Sequence, residues 1–310
     1  MLFSAPIVDD VKSTLNAIRG ALGDGRAVSF HEIRQHVSEL ARSVARNPDA
    51  MLWLSRLRST DQYSYDHALD VSVHMMIFGR FLGFPGTEIE QLGLAGLMQD
   101  IGKIDIPQEI LNKQGELSEE ESNLVRSHVA SSIEILLGHD EFPAHLLEIV
   151  ASHHERTDGS GYPRRLTGTR LIVGSEIAGL VDTYCAMTRQ RAYGPAISPQ
   201  KVLESLIRVR GQKFREPMVD QFVQCMGLYP VGSLVELNSG EVAAVIQQNQ
   251  IRRLKPRLLI LLAPDKSVEK RPLTLDLMLD PLTPTGEPYR IVGALPADAY
   301  GINPAEFYLG

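Results

Sequence analysis

The chain has 310 residues, 44% hydrophobic and 22% charged, with a formal net charge of −7. That is an ordinary globular composition, with room for two domains or for one domain and an appendage. The acidic balance excludes a global electrostatic case for binding duplex nucleic acid. The longest purely apolar run, Leu258 to Ala263, falls far short of the ~20 residues that span a bilayer. The N-terminus has no basic start followed by an apolar core, and the two cysteines, Cys185 and Cys225, form no disulfide framework. No membrane association and a cytoplasmic setting are therefore expected.

The pattern divides into three zones. Residues 1–55 read as an N-terminal helical region. Val11, Leu15, Ile18 and Leu22 recur at helical spacing up to Gly23-Asp24-Gly25, and a second helix from Phe30 to Arg46 stops at Asn47-Pro48. Residues 56–230 read as a helical bundle. Asp66 to Leu82 is a long helix ended by Gly83 and Pro85, and Thr87 to Gln99 follows. Ser118-Glu119-Glu120-Glu121 is a capping box opening a helix that holds Val125, His128, Val129, Ile133 and Leu136. A helix from Ala144 to His154 runs into the loop Thr157-Asp158-Gly159-Ser160-Gly161-Tyr162-Pro163. Helices around Ile177–Thr188, Pro199–Arg210 and Pro217–Met226 complete the bundle. Residues 231–310 change to a small β appendage with a Pro-rich tail. Asn238-Ser239-Gly240 between two apolar runs is a hairpin signal, and Leu258–Leu262 and Leu273–Leu279 read as strands.

The chemistry-bearing residues are imidazoles and carboxylates set in apolar helices. Asp100 follows the nearly uncharged run Leu92–Met98, and Asp182 lies between Ile177–Val181 and Tyr184–Met187. A carboxylate in such a run is expected to be buried and to need a cation, a metal or several donors. His67 sits on an apolar helix, and His74, seven residues on, shares its face. His128 lies on the capped helix. His153 and His154 are about 100° apart on an ideal helix, but at a helix end beside a glycine loop they can converge or ligate two metals. Clusters of imidazole and carboxylate are the ligand sets of hydrolytic metal centres.

Taken in order, these residues resemble the HD-GYP proteins, a branch of the HD phosphohydrolase superfamily that hydrolyses cyclic di-GMP. The resemblance covers roughly residues 60–245. It rests on Asp100-Ile101-Gly102-Lys103-Ile104, Ile106-Pro107, Ile110-Leu111, His128, His153-His154-Glu155-Arg156, Asp158–Pro163, Asp182, Arg191 with Tyr193, and Tyr229-Pro230-Val231-Gly232. It implies a mainly α fold, an HD-domain helical bundle carrying the N-terminal helical region and the C-terminal β appendage. It also implies up to two divalent metal ions (Fe, Mn, Zn, Ni or Mg) used in two-metal phosphodiester hydrolysis. His67 and Asp182 would hold the first metal, Asp100 would bridge, and His128, His153 and His154 would serve the second metal and the rim. Lys103 would act with Asp100 at the reaction centre, facing the scissile phosphate. Gly161, Tyr162, Pro163 and Arg191 would bind the ligand, cyclic di-GMP or a related small nucleotide. A protein partner or a homodimer would also suit such a signalling module.

The chain departs from the family around that same pocket. Gln99 stands where the histidine of the HD pair belongs, and an amide oxygen is a weaker donor than imidazole for iron, zinc or manganese. Tyr63 lies where some members place a glutamate for a third metal. Cys185 replaces a frequent aspartate, and Gly194 a frequent basic residue. Two expectations follow: a phosphodiesterase with weakened hydrolysis, or a non-catalytic receptor for cyclic di-GMP or module for another protein.

Overall fold

The computed structural model describes residues 5–24, 29–56, 63–138, 142–188, 197–249, 252, 254–269, 273–296 and 299–302. Helices α1 (Ala5–Gly23), α2 (His31–Arg46) and α3 (Pro48–Arg56) make up the N-terminal region. The spacing of apolar residues in α2 puts Ile33, Val37, Leu40, Ala41 and Val44 on one buried face. This region packs directly on the bundle. Lys12 of α1 makes a 2.6 Å ion pair with Asp66, which is 2% exposed, at the start of α4 (Tyr63–Phe81).

Helix α4 is the axis of the molecule. Every residue from Asp66 to Gly79 is buried, so its weak amphipathicity reflects a helix covered on all sides. Its neighbours are α1, α2, α3, α5 (Gly86–Met98), α10 (Val173–Thr188) and α12 (Glu216–Met226). Between α5 and α10 the chain forms a 3₁₀ turn, Ile101–Asp105, and four helices: α6 (Gln108–Leu111), α7 (Glu119–Arg126), α8 (His128–Leu137) and α9 (Leu147–Ser152). Helix α11 (Pro199–Arg208) precedes α12. The capping box is formed as expected, with Ser118 and Glu121 each satisfying the other's backbone N–H. The helix it opens is broken at Ser127, however. The Ser127 hydroxyl donates to Leu124 O and the His128 ring bonds Val125 O, so side chains take carbonyls that a continuous helix uses.

The C-terminal appendage is a five-stranded sheet of order β4-β3-β2-β1-β5, its named pairs antiparallel. The strands are β1 (Leu234–Leu237), β2 (Val242–Gln247), β3 (Arg257–Leu262), β4 (Thr274–Asp276) and β5 (Ile291–Leu295). The hairpin at Asn238–Gly240 closes with Leu237 N–H donating to Glu241 O. Strand β5 comes from the segment read as a Pro-rich tail and adds to the free edge of β1. The sheet leans on α3, where Gln248 N–H donates to Asp49 Oδ2 at 3.2 Å. Among the described residues no helix is long and apolar enough to cross a membrane.

One contact sets where the 3₁₀ turn can sit. Gly102 lies against α8 so closely that an added Cβ would come within 2.3 Å of His128 O and 2.4 Å of Ser132 N, both backbone atoms. Its N–H donates to Ser132 Oγ, and that hydroxyl donates in turn to Gln99 O. Gly102→Ala is therefore expected to push the turn off α8 at a cost of about 3 kcal/mol, read as a lower urea midpoint in equilibrium unfolding.

Candidate metal centre

Five elements deliver the site. His67 comes from α4, Asp100 from the end of α5, His128 from the start of α8, His153 and His154 from the turn after α9, and Asp182 from α10. Asp100 lies between two donor sets. Its Oδ1 is 3.2 Å from His128 Nε2 and 3.7 Å from His153 Nε2, and those two nitrogens are 3.5 Å apart. Its Oδ2 is 2.7 Å from Lys103 Nζ and 3.9 Å from His67 Nε2. His67 Nε2 also lies 2.8 Å from Asp182 Oδ1. Two groups thus form around one carboxylate, Asp100–His128–His153–His154 and His67–Asp100–Asp182. Within each, the ligand atoms fall inside 4.8 Å of one another.

The residues fit a cation. His128 Nδ1 is 2.5 Å from Val125 O and His153 Nδ1 is 2.6 Å from Val150 O. A carbonyl accepts, so each Nδ1 must carry a proton, which leaves each Nε2, the atom that faces the Asp100 carboxylate, as the ligating nitrogen. Lone pairs facing a carboxylate repel unless protons or a metal lie between them. This is the tautomer lock that metal-binding histidines use. Asp100 Oδ1, His67 Nδ1 and both amide atoms of Gln99 are buried with no hydrogen-bond partner, which such an interior tolerates only where something else satisfies them.

The electrostatics agree. Burial pushes the Asp100 carboxyl up, but the Lys103 ammonium, with His128 and His153 beside it, outweighs burial and holds it well below the usual carboxylate range. Burial pushes Asp182 up too, and His67 and His154 outweigh it in the same way. Burial, reinforced by His153, holds the His154 ring well below the usual imidazole range, so it is neutral near pH 7 and free to ligate. Burial, with Asp100 and Asp182 nearby, raises the Tyr162 phenol, which stays protonated as a donor.

The glycine loop forms the rim. The Tyr162 ring stacks on His154 at 4.6 Å between centroids, with the planes 23° apart, and Pro163 follows through a cis peptide bond. At Gly161 a Cβ would lie 2.5 Å from His154 O and from the Glu155 Cα, so only glycine lets the loop fold back onto the paired histidines. Arg191, Tyr193 and Gly194 lie outside the described residues, as does the Tyr63 side chain.

Several residues have structural roles here that the sequence did not show, Glu155 and Arg156 among them although they belong to the motif. Glu155, 1% exposed, accepts from the N–H groups of Arg164 and Leu166 at 2.6 and 2.9 Å and so pins the loop. Arg156 donates to His153 O and Glu155 O, fixing the turn that aims both imidazoles. Ser132 anchors Gln99 and Gly102, as described above. His74 does not join the centre. It forms a separate fully buried group with Asp70 and Cys185, in which its Nδ1 is 2.7 Å from Asp70 O. The i, i+4 spacing of Asp70 and His74 was readable in α4; their meeting with Cys185 of α10 was not.

The sequence profile of the HD domain family matches residues 35–216. A cyclic di-GMP phosphodiesterase of Pseudomonas aeruginosa is 33% identical over 90% of this chain and 66% of its own length. A 3'3'-cGAMP-specific phosphodiesterase of Vibrio cholerae is 28% identical over 62% of this chain and 35% of its own. The chain thus spans less than two thirds of either relative. Among solved structures, an HDG"Y"P protein from Bdellovibrio bacteriovorus superposes with a TM-score of 0.59 at 14% identity. The match covers 70% of this chain and 69% of that one, and supports the fold alone.

Glu155→Gln would set an amide NH₂ against one of two backbone N–H donors and free the loop. A stability loss of about 2 kcal/mol and faster trypsin cleavage at Arg164 and Arg165 are expected, with peptide mapping locating the cut.

Proposed function

The chain belongs to the HD-domain family, and from that premise we propose that its buried centre is a two-metal site of HD-GYP type acting in cyclic di-GMP signalling. The observation that carries this reading is the Asp100 carboxylate shared by two donor groups, the arrangement a bridging ligand requires. His67, Asp182 and the Gln99 amide oxygen would complete one cation's shell. His128, His153 and His154 would complete the other's. Divalent cations, when bound, would supply Lewis-acid activation of water and neutralise charge developing at phosphorus.

The protein's own groups then divide the remaining work. Lys103, held 2.7 Å from Asp100 Oδ2 and about a quarter exposed, would turn its ammonium to the scissile phosphate and the leaving oxygen. Tyr162, a protonated donor stacked on His154, would orient a base or phosphate at the rim, with Gly161 and Pro163 shaping its approach and Arg191 adding charge. The substrate class is a cyclic dinucleotide, as the activities named for the similar proteins suggest.

Hydrolysis is weak in this reading because of Gln99. A neutral amide oxygen replaces an imidazole in a shell that otherwise holds one histidine and two carboxylates, so the first metal is bound less tightly. A receptor that retains cyclic di-GMP without cleaving it is the second reading. The same partnerless Gln99 amide favours it.

Two measurements test the proposal. Gln99→His should raise bound metal towards two equivalents by elemental analysis and increase cyclic di-GMP hydrolysis at least tenfold. More metal with no gain in turnover would favour the receptor. Asp100→Asn should lower metal content in both groups at once, whereas Asp182→Asn should lower it in one. Equal metal content in the wild type and the Asp100 variant would refute a shared centre.

A further inference from the structure

Beside the rim lies an open cleft of about 580 Å³, lined by Arg126, Ser127, Ser160, Tyr162 and Arg165 among others. That volume lies within the range of small-ligand sites, roughly 300–1,000 Å³. Arg126 sits over the Tyr162 ring at 5.3 Å, and the same ring stacks on His154 of the metal centre. Ser127, on the cleft wall, is the residue before His128. The Tyr162 ring thus touches both the cleft and the centre.

The charge in this cleft is unbalanced. Three other arginines of the bundle pair with acids, Arg164 with Glu148, Arg210 with Asp220 and Arg215 with Glu176. Among the described residues no ion pair or hydrogen bond engages the guanidinium of Arg126 or Arg165, though acids outnumber bases 38 to 31 along the chain. The acid in the adjoining loop, Asp158, is occupied by Ser160 N–H at 2.9 Å. Two like charges on one cleft repel, and an anion between them removes that cost.

A cyclic dinucleotide carries two phosphodiesters, and hydrolysis at the metals uses one. We infer that the Arg126–Tyr162–Arg165 cleft is a second phosphate subsite that takes the non-scissile phosphodiester. This rests on the proposed cyclic-dinucleotide reading and adds to it the residues that select a ligand with two phosphates over a ligand with one. Guanidinium suits this task because its planar fork meets a phosphate with two parallel N–H groups.

The test uses the full chain with divalent metal present and titration calorimetry as the readout. R126A and R165A should each weaken cyclic di-GMP binding about tenfold, the scale of one charge-assisted hydrogen bond. R126K and R165K should recover part of the loss. Bis(4-nitrophenyl) phosphate, which has a single phosphodiester, should lose far less affinity in the same variants. Both arginines are exposed, and thermal melts will verify that the variants fold. Wild-type binding with R126A and R165A within twofold of it would overturn the subsite and leave the cyclic-dinucleotide reading intact. An equal loss for both probes would overturn selection for the second phosphate. No cyclic di-GMP binding by the wild type would overturn the reading and the subsite together.

Discussion

The Asp100 carboxylate is the constraint on which the rest of the site turns. A carboxylate taken into a protein interior costs several kcal/mol unless other groups compensate. Here Lys103 compensates one oxygen at 2.7 Å, while the other faces His128 and His153. Each of those rings commits its Nδ1 proton to its own helix's carbonyl, so only Nε2 is directed at the carboxylate. The interior therefore gathers one carboxylate oxygen and two ring nitrogens at a point where a cation would balance them. Everything that fixes Asp100 in that position, from the Ser132 hydroxyl bridge to the contact at Gly102, serves an arrangement that could hold a cation.

How much was legible beforehand follows from which signals are local. The bundle helices were readable because periodicity and punctuation are properties of short windows, and the capping box at Ser118 behaves as its four residues dictate. Asp100 and Asp182 could be singled out because a charge inside an apolar run must find a partner wherever the chain folds. The remainder depends on contacts between distant segments. Strand β5 has a glycine at its centre and prolines nearby, and it becomes a strand because β1 offers an open edge. The Lys12–Asp66 pair joins zones that carried no shared motif. Asp70, His74 and Cys185 were visible as letters, but α4 and α10 must pack before they form a group. The break at Ser127 is the reverse case, in which local hydroxyl and imidazole bonds to helix carbonyls override a continuous apolar pattern.

Gln99 shows how a one-residue change is held in place. Its backbone carbonyl is fixed by Ser132, which does not depend on the side chain. The position survives with either histidine or glutamine, because the helix end is specified by main-chain contacts. What changes is donor strength. Imidazole and amide both offer a lone pair, but the amide's is harder and its second heavy atom is an NH₂ group, itself buried without a partner. In the proposed two-metal reading the substitution would thus move the cost from folding to metal affinity, leaving the bundle intact and the chemistry weakened.

The rim does not share that weakness, because it is held by a different carboxylate. Glu155 follows directly on His153 and His154 and closes the loop through Arg164 and Leu166 N–H groups. Arg156 ties the same turn back to His153 O. The loop and the paired imidazoles therefore form one hydrogen-bonded unit, with Tyr162 N–H also donating to His154 O. Loss of a ligand at position 99, on α5 and on the far side of Asp100 in the ligand set, need not disturb it. The rim loop and the Asp100 donor groups are thus anchored by separate acids, so in the proposed reading a nucleotide-binding surface would persist even where hydrolysis is weakened.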